Sequence, residues 1–263
     1  VVYRPMTPLF SIITVCYNAA DTLGPTLRSV DSQTCRLYEH LIVDGGSTDG
    51  TLKLLESQPN ELRKVTSERD KGIYDAMNKG LSRAKGDYVI FLNAGDRFHS
   101  SDTLETYAKA IMDNDYPGIV YGQTDLVDKD GRKIAGRHLE APEQLSLKSF
   151  AEGMLVCHQA MAVLRRITPL YDVSWRFSAD YEWVIRCLQH SRQNVYTGCV
   201  TADFLSEGTT TANRRRSLVE RFRIMAHYYG FFPTLLRHLS FVPRYFRHKR
   251  ELKRGERNLT TEK

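Results

Sequence analysis

The chain has little of what marks a disulfide-stapled, zinc-binding or membrane-spanning protein. Its five cysteines (Cys16, Cys35, Cys157, Cys187 and Cys199) form an odd set with no CxxC pair and no histidine at zinc-ligand spacing. Neither a disulfide framework nor a structural zinc site is therefore written in the sequence. Several of these cysteines stand in apolar runs, and the expectation is buried thiols in a reducing compartment. No apolar stretch approaches the roughly 20 residues needed to cross a bilayer. Val1 to Pro8 also lacks the basic-then-apolar pattern of a secretory signal. A cytoplasmic protein, soluble or peripheral, is expected. Internal repeats, long linkers and RNA- or DNA-binding modules are missing as well, so nucleic acid is not an expected partner.

What is present begins with an uneven charge. The 263 residues carry a net +6, yet 214–263 alone hold 14 Lys/Arg against 4 Asp/Glu, which leaves about −4 for the rest. Within that basic stretch arginines interleave with Leu218, Phe222, Tyr229, Phe232, Leu236 and Leu239, and Pro233 and Pro243 should break it into two or three short helices. An apolar face flanked by Arg and Lys suits a helix lying on anionic lipid, where each basic residue contributes about 1 kcal/mol. The alternative is an apolar face packed on the preceding domain with the arginines in water.

Ahead of the tail, hydrophobic periodicity gives alternating elements. Phe10–Val15 reads as a strand closed by Tyr17-Asn18-Ala19-Ala20, with a helical pattern following to Ser32. His40–Val43, the turn Asp44-Gly-Gly-Ser-Thr-Asp49 and a helix over Gly50–Glu56 repeat the unit, with Thr48 or Asp49 able to cap. Lys64–Ser67 is a weaker strand, Ile73–Ala84 a helix, and Tyr88–Leu92 a strand running into Asn93-Ala-Gly-Asp96. This alternation argues for an α/β fold with a doubly wound, mostly parallel sheet. After Tyr116 the texture changes: Ile119–Gly122 and Thr124–Val127 are strand-like, and Asp130-Gly131 makes a hairpin turn. Gln159–Leu164 and Val195–Phe204 are further strands, and Asp180–His190 a helix. The expected organisation is a domain over 1–213, split into a nucleotide-binding half (1–115) and a mixed acceptor half (116–213), followed by a basic helical tail (214–263).

In such a sheet, ligands bind beyond the carboxyl ends of the strands. Three strands here end in polar or glycine-rich turns, at Tyr17-Asn18, Asp44-Gly45-Gly46-Ser47 and Asn93-Ala94-Gly95-Asp96. Each turn taken singly is also what any βα connection uses. Together they offer acceptors for a base or ribose, at Asp44, and a hard oxygen for a divalent cation, at Asp96.

Ser11-Ile-Ile-Thr-Val-Cys-Tyr-Asn18, Ile42-Val-Asp-Gly-Gly-Ser-Thr-Asp-Gly50, Gly72-Ile-Tyr-Asp-Ala-Met-Asn-Lys-Gly80 and Phe91-Leu-Asn-Ala-Gly-Asp96 occur in this order. The series resembles family 2 glycosyltransferases of the GT-A fold, in particular exopolysaccharide enzymes of the colanic-acid type. The resemblance covers about residues 9–210. It implies a hexosyl- or N-acetylhexosaminyltransferase of inverting type, acting from a nucleotide sugar, UDP-linked in preference, on a glycan or lipid-linked acceptor at the inner face of the cytoplasmic membrane.

The resemblance also implies site residues. Val15, Tyr17 and Asn18 would line the base, Asp44 would meet base or ribose, and Lys71 through Asp75, with Gly72 and Tyr74 between them, would approach the diphosphate or sugar. Asn93 and Gly95 stand where the family carries metal-binding carboxylates, which leaves Asp96 as the expected ligand for Mn²⁺ or Mg²⁺. Ala20 replaces a ribose-binding Glu common among relatives, with Asp21 beside it. Asp180, in Trp175-Arg-Phe-Ser-Ala-Asp-Tyr-Glu182, matches the catalytic base, and Glu182 is the nearest rival. A carboxylate there would take the proton of the attacking sugar hydroxyl, typically worth about 10² to 10⁴ in rate; the plain alternative is a helix cap. His158 and Gln159 resemble part of the acceptor or donor-sugar wall. Ser206–Thr211 and Arg214 read as a loop with a cationic end able to close on the donor. The thinned metal motif leaves an inactive sugar-nucleotide-binding scaffold as an alternative. A nucleotidyltransferase is disfavoured because no Gly-rich, Arg- and Lys-containing loop follows the first strand.

Overall fold

The computed structural model describes residues 8–137, 139–206 and 214–239, and the chain divides into two compact units, Val1–Asn213 and Arg214–Lys263. The first unit runs β1 (Phe10–Cys16), α1 (Leu23–Asp31), β2 (Tyr38–Asp44), α2 (Thr51–Ser57), β3 (Arg63–Ser67), α3 (Ile73–Arg83) and β4 (Tyr88–Phe91). It continues with β5 (Arg97–Phe98), α4 (Thr103–Asp113), β6 (Ile119–Val127), β7 (Lys133–Gly136), α5 (Leu147–Phe150), β8 (Met161–Leu164), α6 (Ala179–His190) and β9 (Asn194–Leu205).

The strands form one sheet in the order β3-β2-β1-β4-β8-β6-β9-β5, with β7 hairpinned onto β6. β3, β2, β1 and β4 are parallel, so the turns after Cys16, Asp44, Ser67 and Phe91 all emerge on one rim. β8 runs antiparallel to both β4 and β6, which makes the second half mixed. Every residue of β1 and β2 is buried, as expected of strands covered on both faces. On one face Phe10, Ile12, Tyr88 and Ile90 pack with Leu104, Tyr107 and Ile111 of α4. On the other lies α3, so close that a Cβ on Gly80 would stand 2.4 Å from Ile13 Cγ2. Glycine in that motif is a helix-to-sheet packing requirement.

Several sequence expectations are refined. The two short runs before Val127 are one nine-residue strand, β6. Gln159 belongs to a 3₁₀ turn, His158–Ala160, and the strand starts at Met161. Cys16, Cys157 and Cys187 are buried free thiols, whereas Cys199 is exposed and Cys35 half-buried. In the second unit α7 (Arg214–Tyr229) ends at Gly230, whose φ is +89°. A further helix follows over 231–239, and Phe222 packs edge-on against Phe231 and His238. The break is therefore at glycine; Pro233 sits in a first helical turn, where a missing N–H is harmless. Pro243, the loop over 207–213 and the side chain of Arg214 lie outside the described residues. Among the described residues no helix is long and apolar enough to cross a membrane.

Candidate active site

The first two rim loops are stitched together. Asn18 adopts φ +47°, donates its N–H to Ser47 Oγ at 2.8 Å and accepts from Thr48 N at 2.9 Å through Oδ1. Ala19 N and Ala20 N donate to Thr51 Oγ1 and Asp49 Oδ2. Gly50 is the N-cap of α2, and Asp49 just before it accepts from Thr51 N at 2.9 Å through Oδ1. Tyr17 is 63% exposed, an aromatic face open on the rim, whereas Val15 is buried beneath it.

Asp44 is fully buried and holds the β2 turn from inside. Its Oδ2 accepts from Gly46 N (3.1 Å), Ser47 N (2.9 Å) and Ser67 Oγ (2.6 Å), and Oδ1 from the Ser47 hydroxyl. Burial alone would push this carboxyl up, but the Ser47 and Ser67 hydroxyls with the Ser47 and Gly46 amides outweigh it and hold the group below its ordinary value. About four acceptor positions on a carboxylate are thereby filled from the protein itself.

The third loop, after β3, carries Lys71, Gly72 and Asp75. Gly72 has φ +123° with open space where a Cβ would stand. Asp70 Oδ1 accepts from Gly72 N at 2.8 Å and Asp75 Oδ2, in the first turn of α3, from Lys71 N at 3.0 Å, while the Lys71 side chain is exposed.

Asp96 is where the structure departs from expectation. It is only 4% exposed; Oδ2 accepts from Gln159 Nε2 at 2.8 Å and Oδ1 from Leu205 N at 3.1 Å. Burial pushes its carboxyl up to about 6 against the pull of the Gln159 and Leu205 hydrogen bonds. Gly95, at φ +101°, turns its N–H inward to Thr26 Oγ1 (2.9 Å), and Leu205 Cδ2 lies 2.9 Å from where its Cβ would be. The residues at the family's metal position therefore do not fit a cation: Asn93 and Gly95 bring no carboxylate and the Asp96 oxygens face Gln159 and β9. A group able to hold a metal ion does occur elsewhere among the described residues, where His99, Asp125 and Asp203 bring ligand atoms within 4.8 Å of one another. Lys133 Nζ already sits 2.8 Å from Asp125 there.

The mixed half of the sheet meets the parallel half at Asp180, in the first turn of α6. Tyr74 of α3 donates its hydroxyl to Asp180 Oδ1 at 3.3 Å, and His158 Nδ1 stands 3.7 Å from Oδ2. His158 is 7% exposed, and its Nε2 lies 3.3 Å from Asn93 Nδ2. Aromatic rings fix α6 in place: Trp183 stacks on Tyr171 (5.1 Å), both meet Phe91 edge-on, and Tyr171 stacks on Tyr74 (5.4 Å). Asn78 clamps the Tyr171 backbone, donating to its carbonyl at 2.9 Å and accepting from its N–H at 2.7 Å.

Glu182 is not part of this cluster. Two residues from Asp180 on a helix, it points to the opposite side; it is 5% exposed, and the Arg186 guanidinium lies against both its oxygens at 2.7 and 2.8 Å. Asn78 and Tyr171 received no role from the sequence. The spacing of Tyr74 and Asn78 at i, i+4, inside a motif already recognised, was the signal that they share a face.

Comparison with known proteins agrees with this architecture. Residues 11–167 match the family described as Glycosyl transferase family 2. The chain is 34% identical over 190 residues to the PGL/p-HBAD biosynthesis glycosyltransferase of Mycobacterium tuberculosis (strain H37Ra), covering 70% of this chain and 71% of that protein. The crystal structure of S. aureus TarS 1–349 in complex with UDP-GlcNAc superposes with a TM-score of 0.68 at 20% identity, over 88% of this chain and 73% of that one. The mannosyltransferase PcManGT from Pyrobaculum calidifontis, in complex with GDP-Man and Mn²⁺, gives 0.60 at 18% identity, over 90% and 76%. The fold is thus of GT-A type, and with its family match spanning more than half of the sequence the protein belongs to glycosyltransferase family 2.

Proposed function

We propose that this glycosyltransferase is inverting and moves a hexosyl or N-acetylhexosaminyl group from a nucleoside-diphosphate sugar to a hydroxyl of a surface-polysaccharide or lipid-linked oligosaccharide, with Asp180 as general base. The observation that carries the reading is the meeting of Asp180 with Tyr74 at 3.3 Å, which sets an acceptor-half carboxylate against the segment that follows Lys71 and Gly72. A nucleotide-sugar donor is supported by the TarS complex with UDP-GlcNAc and the PcManGT complex with GDP-Man; in this reading the nucleotide is UDP and its base uracil.

In this reading Tyr17 and Asn18 border the base beside the turn that Asp44 holds rigid, and Lys71 and Gly72 border the diphosphate. The acceptor oxygen attacks the anomeric carbon as the bond to the diphosphate oxygen breaks. The bonding pair leaves with the nucleoside diphosphate, and the hydroxyl proton passes to Asp180. Attack from the face opposite the leaving group inverts the anomeric centre. The family's metal position does not fit a cation; one carried in with the donor would neutralise diphosphate charge. The second unit exposes Leu218, Val219, Phe231, Phe232, Leu236 and Leu239 in a strongly basic segment, which supports work at an anionic membrane surface, the inner face of the cytoplasmic membrane in this reading.

The test is calorimetric binding of UDP-, GDP- and dTDP-sugars with and without Mn²⁺ or Mg²⁺, followed by turnover of Asp180→Asn with the donor that saturates the protein. Donor binding should survive while turnover falls at least about a hundredfold. Near-normal turnover would remove Asp180 from the chemistry, and a donor bound but never transferred or hydrolysed by the wild type would favour the scaffold alternative.

A further inference from the structure

Beside Asp180 the structure leaves buried polar atoms without partners. Among the described residues Asn93 Oδ1, His158 Nδ1 and Tyr171 Oη have no hydrogen-bond partner although all three are buried. An unmet buried group of this kind typically costs about 1–3 kcal/mol, so a cluster of them at a strand-end rim marks a place completed by something else. The placement is set by strand register. β4 and β8 are antiparallel with Val89 opposite Val163, which brings the turn after β4, with Asn93, alongside the 3₁₀ turn that carries His158.

Asn93 Nδ2 faces His158 Nε2 at 3.3 Å. An amide nitrogen can only donate, so Nε2 must accept and the imidazole proton must reside on Nδ1. Nδ1 in turn faces Asp180 Oδ2 at 3.7 Å. That separation is too long for a hydrogen bond, but catalytic hydrogen bonds that are long without substrate commonly tighten once it binds. A carboxylate at position 93 would instead accept from Nε2–H and draw the proton to the wrong side of the ring. The asparagine in this chain's thinned metal motif thus belongs with the histidine on the neighbouring turn.

We infer that His158 is a positioning residue for the general base: held by Asn93 with its proton on Nδ1, it turns that proton to Asp180 Oδ2. Tyr74 donates to Oδ1 from the other side, and between the two donors the carboxylate is fixed in the orientation in which it receives the acceptor proton. His158 keeps its own proton throughout. This inference rests on Asp180 being the base.

The experiment compares His158→Asn, whose amide nitrogen replaces Nδ1, with His158→Gln, whose amide nitrogen replaces Nε2, and adds Asn93→Asp. Each variant is measured alone and, for His158→Gln, in the Asp180→Asn background, with UDP-GlcNAc or whichever screened donor saturates the protein. Release of the nucleoside diphosphate is read as kcat and KM, with melting temperature as the folding check. His158→Gln and Asn93→Asp should lower kcat by about ten- to a hundredfold, the penalty of a carboxylate misplaced by an ångström or less, with donor KM within about threefold of wild type. His158→Asn should stay within about fivefold of wild type. In the Asp180→Asn background, His158→Gln should change kcat no further. Equal losses in the Asn and Gln variants, undiminished or higher kcat in Asn93→Asp, or additivity with Asp180→Asn would each overturn the positioning role while leaving Asp180 as base. Near-normal turnover in Asp180→Asn alone would remove both.

Discussion

Gln159 Nε2 donates to Asp96 Oδ2 at 2.8 Å, and this bond joins the turn after β4 to the turn before β8. With the Leu205 amide on Oδ1, it makes Asp96 the buried tie between three elements of the sheet.

The first prediction follows from that burial. The Asp96 carboxyl is pushed up to about 6 in the folded protein from 3.8, so between those values the native state binds more protons than the unfolded chain. Its contribution to stability is complete below pH 3.8 and lost as pH rises to about 6, where the ionised group is disfavoured by about 3 kcal/mol. Asp96→Asn should therefore gain stability relative to wild type as pH rises from 4 to 6 and plateau above. Urea unfolding across that range checks it; a pH-independent difference would contradict the buried-acid account.

His40 should act in the opposite direction. It is fully buried, its Nδ1 accepts from Arg63 Nε at 3.4 Å and Nε2 lies 2.9 Å from Thr14 Oγ1. Burial first, then the Arg63 charge, lowers its pKa from 6.5 to about 3. Stability present above pH 6.5 is lost as pH falls toward 3, by about 1.4 kcal/mol per pH unit within that window. In His40→Gln this slope should disappear, which denaturant midpoints at pH 7 and pH 4.5 would show.

Gly80→Ala tests the packing of α3. Helix propensity alone favours alanine by about 1 kcal/mol, but the added methyl would lie 2.4 Å from Ile13 Cγ2 and 3.4 Å from Val43 Cγ2. Neither branched side chain can swing clear in a sheet buried on both faces. A net loss of about 1–3 kcal/mol is expected, together with weaker donor binding as Tyr74 and Lys71 move with the helix. Thermal melts and donor titration read both effects.

The tail is tested by changing its exposed apolar face. Phe232 is 75% and Leu236 68% exposed, so Phe232→Glu with Leu236→Glu should leave the melting temperature nearly unchanged. Sedimentation with phosphatidylglycerol vesicles should fall several-fold. Unchanged sedimentation of the double variant would argue against a membrane-facing role for this helix.

The strand–turn–helix alternation of the first half was legible because its signals are local. Apolar runs of β period, turns rich in Gly, Asp and Asn, and the helical spacing of Leu27 and Val30 each lie within a dozen residues. The rim followed from parallel order alone, since parallel strands expose all their carboxyl-end turns on one side. Asp180 is singled out by its motif alone, because a lone acid at a helix start equally reads as a cap.

Tertiary structure decided which rim carboxylates face outward. Asp44 and Asp96 looked alike in sequence, each an acid in a glycine-containing turn. One became the filled centre of its own loop through Ser67 on the next strand, and the other was turned inward by Gln159, 63 residues away. Glu182 was removed from the site by helical phase and by Arg186 one turn on. His158 reached Asn93 through β4–β8 register, which no local pattern encodes. The sequence by itself determined the elements, the family and the rim; the direction in which each charged group points was settled by hydrogen-bond partners far away in the chain, because a buried carboxylate goes where donors can satisfy it.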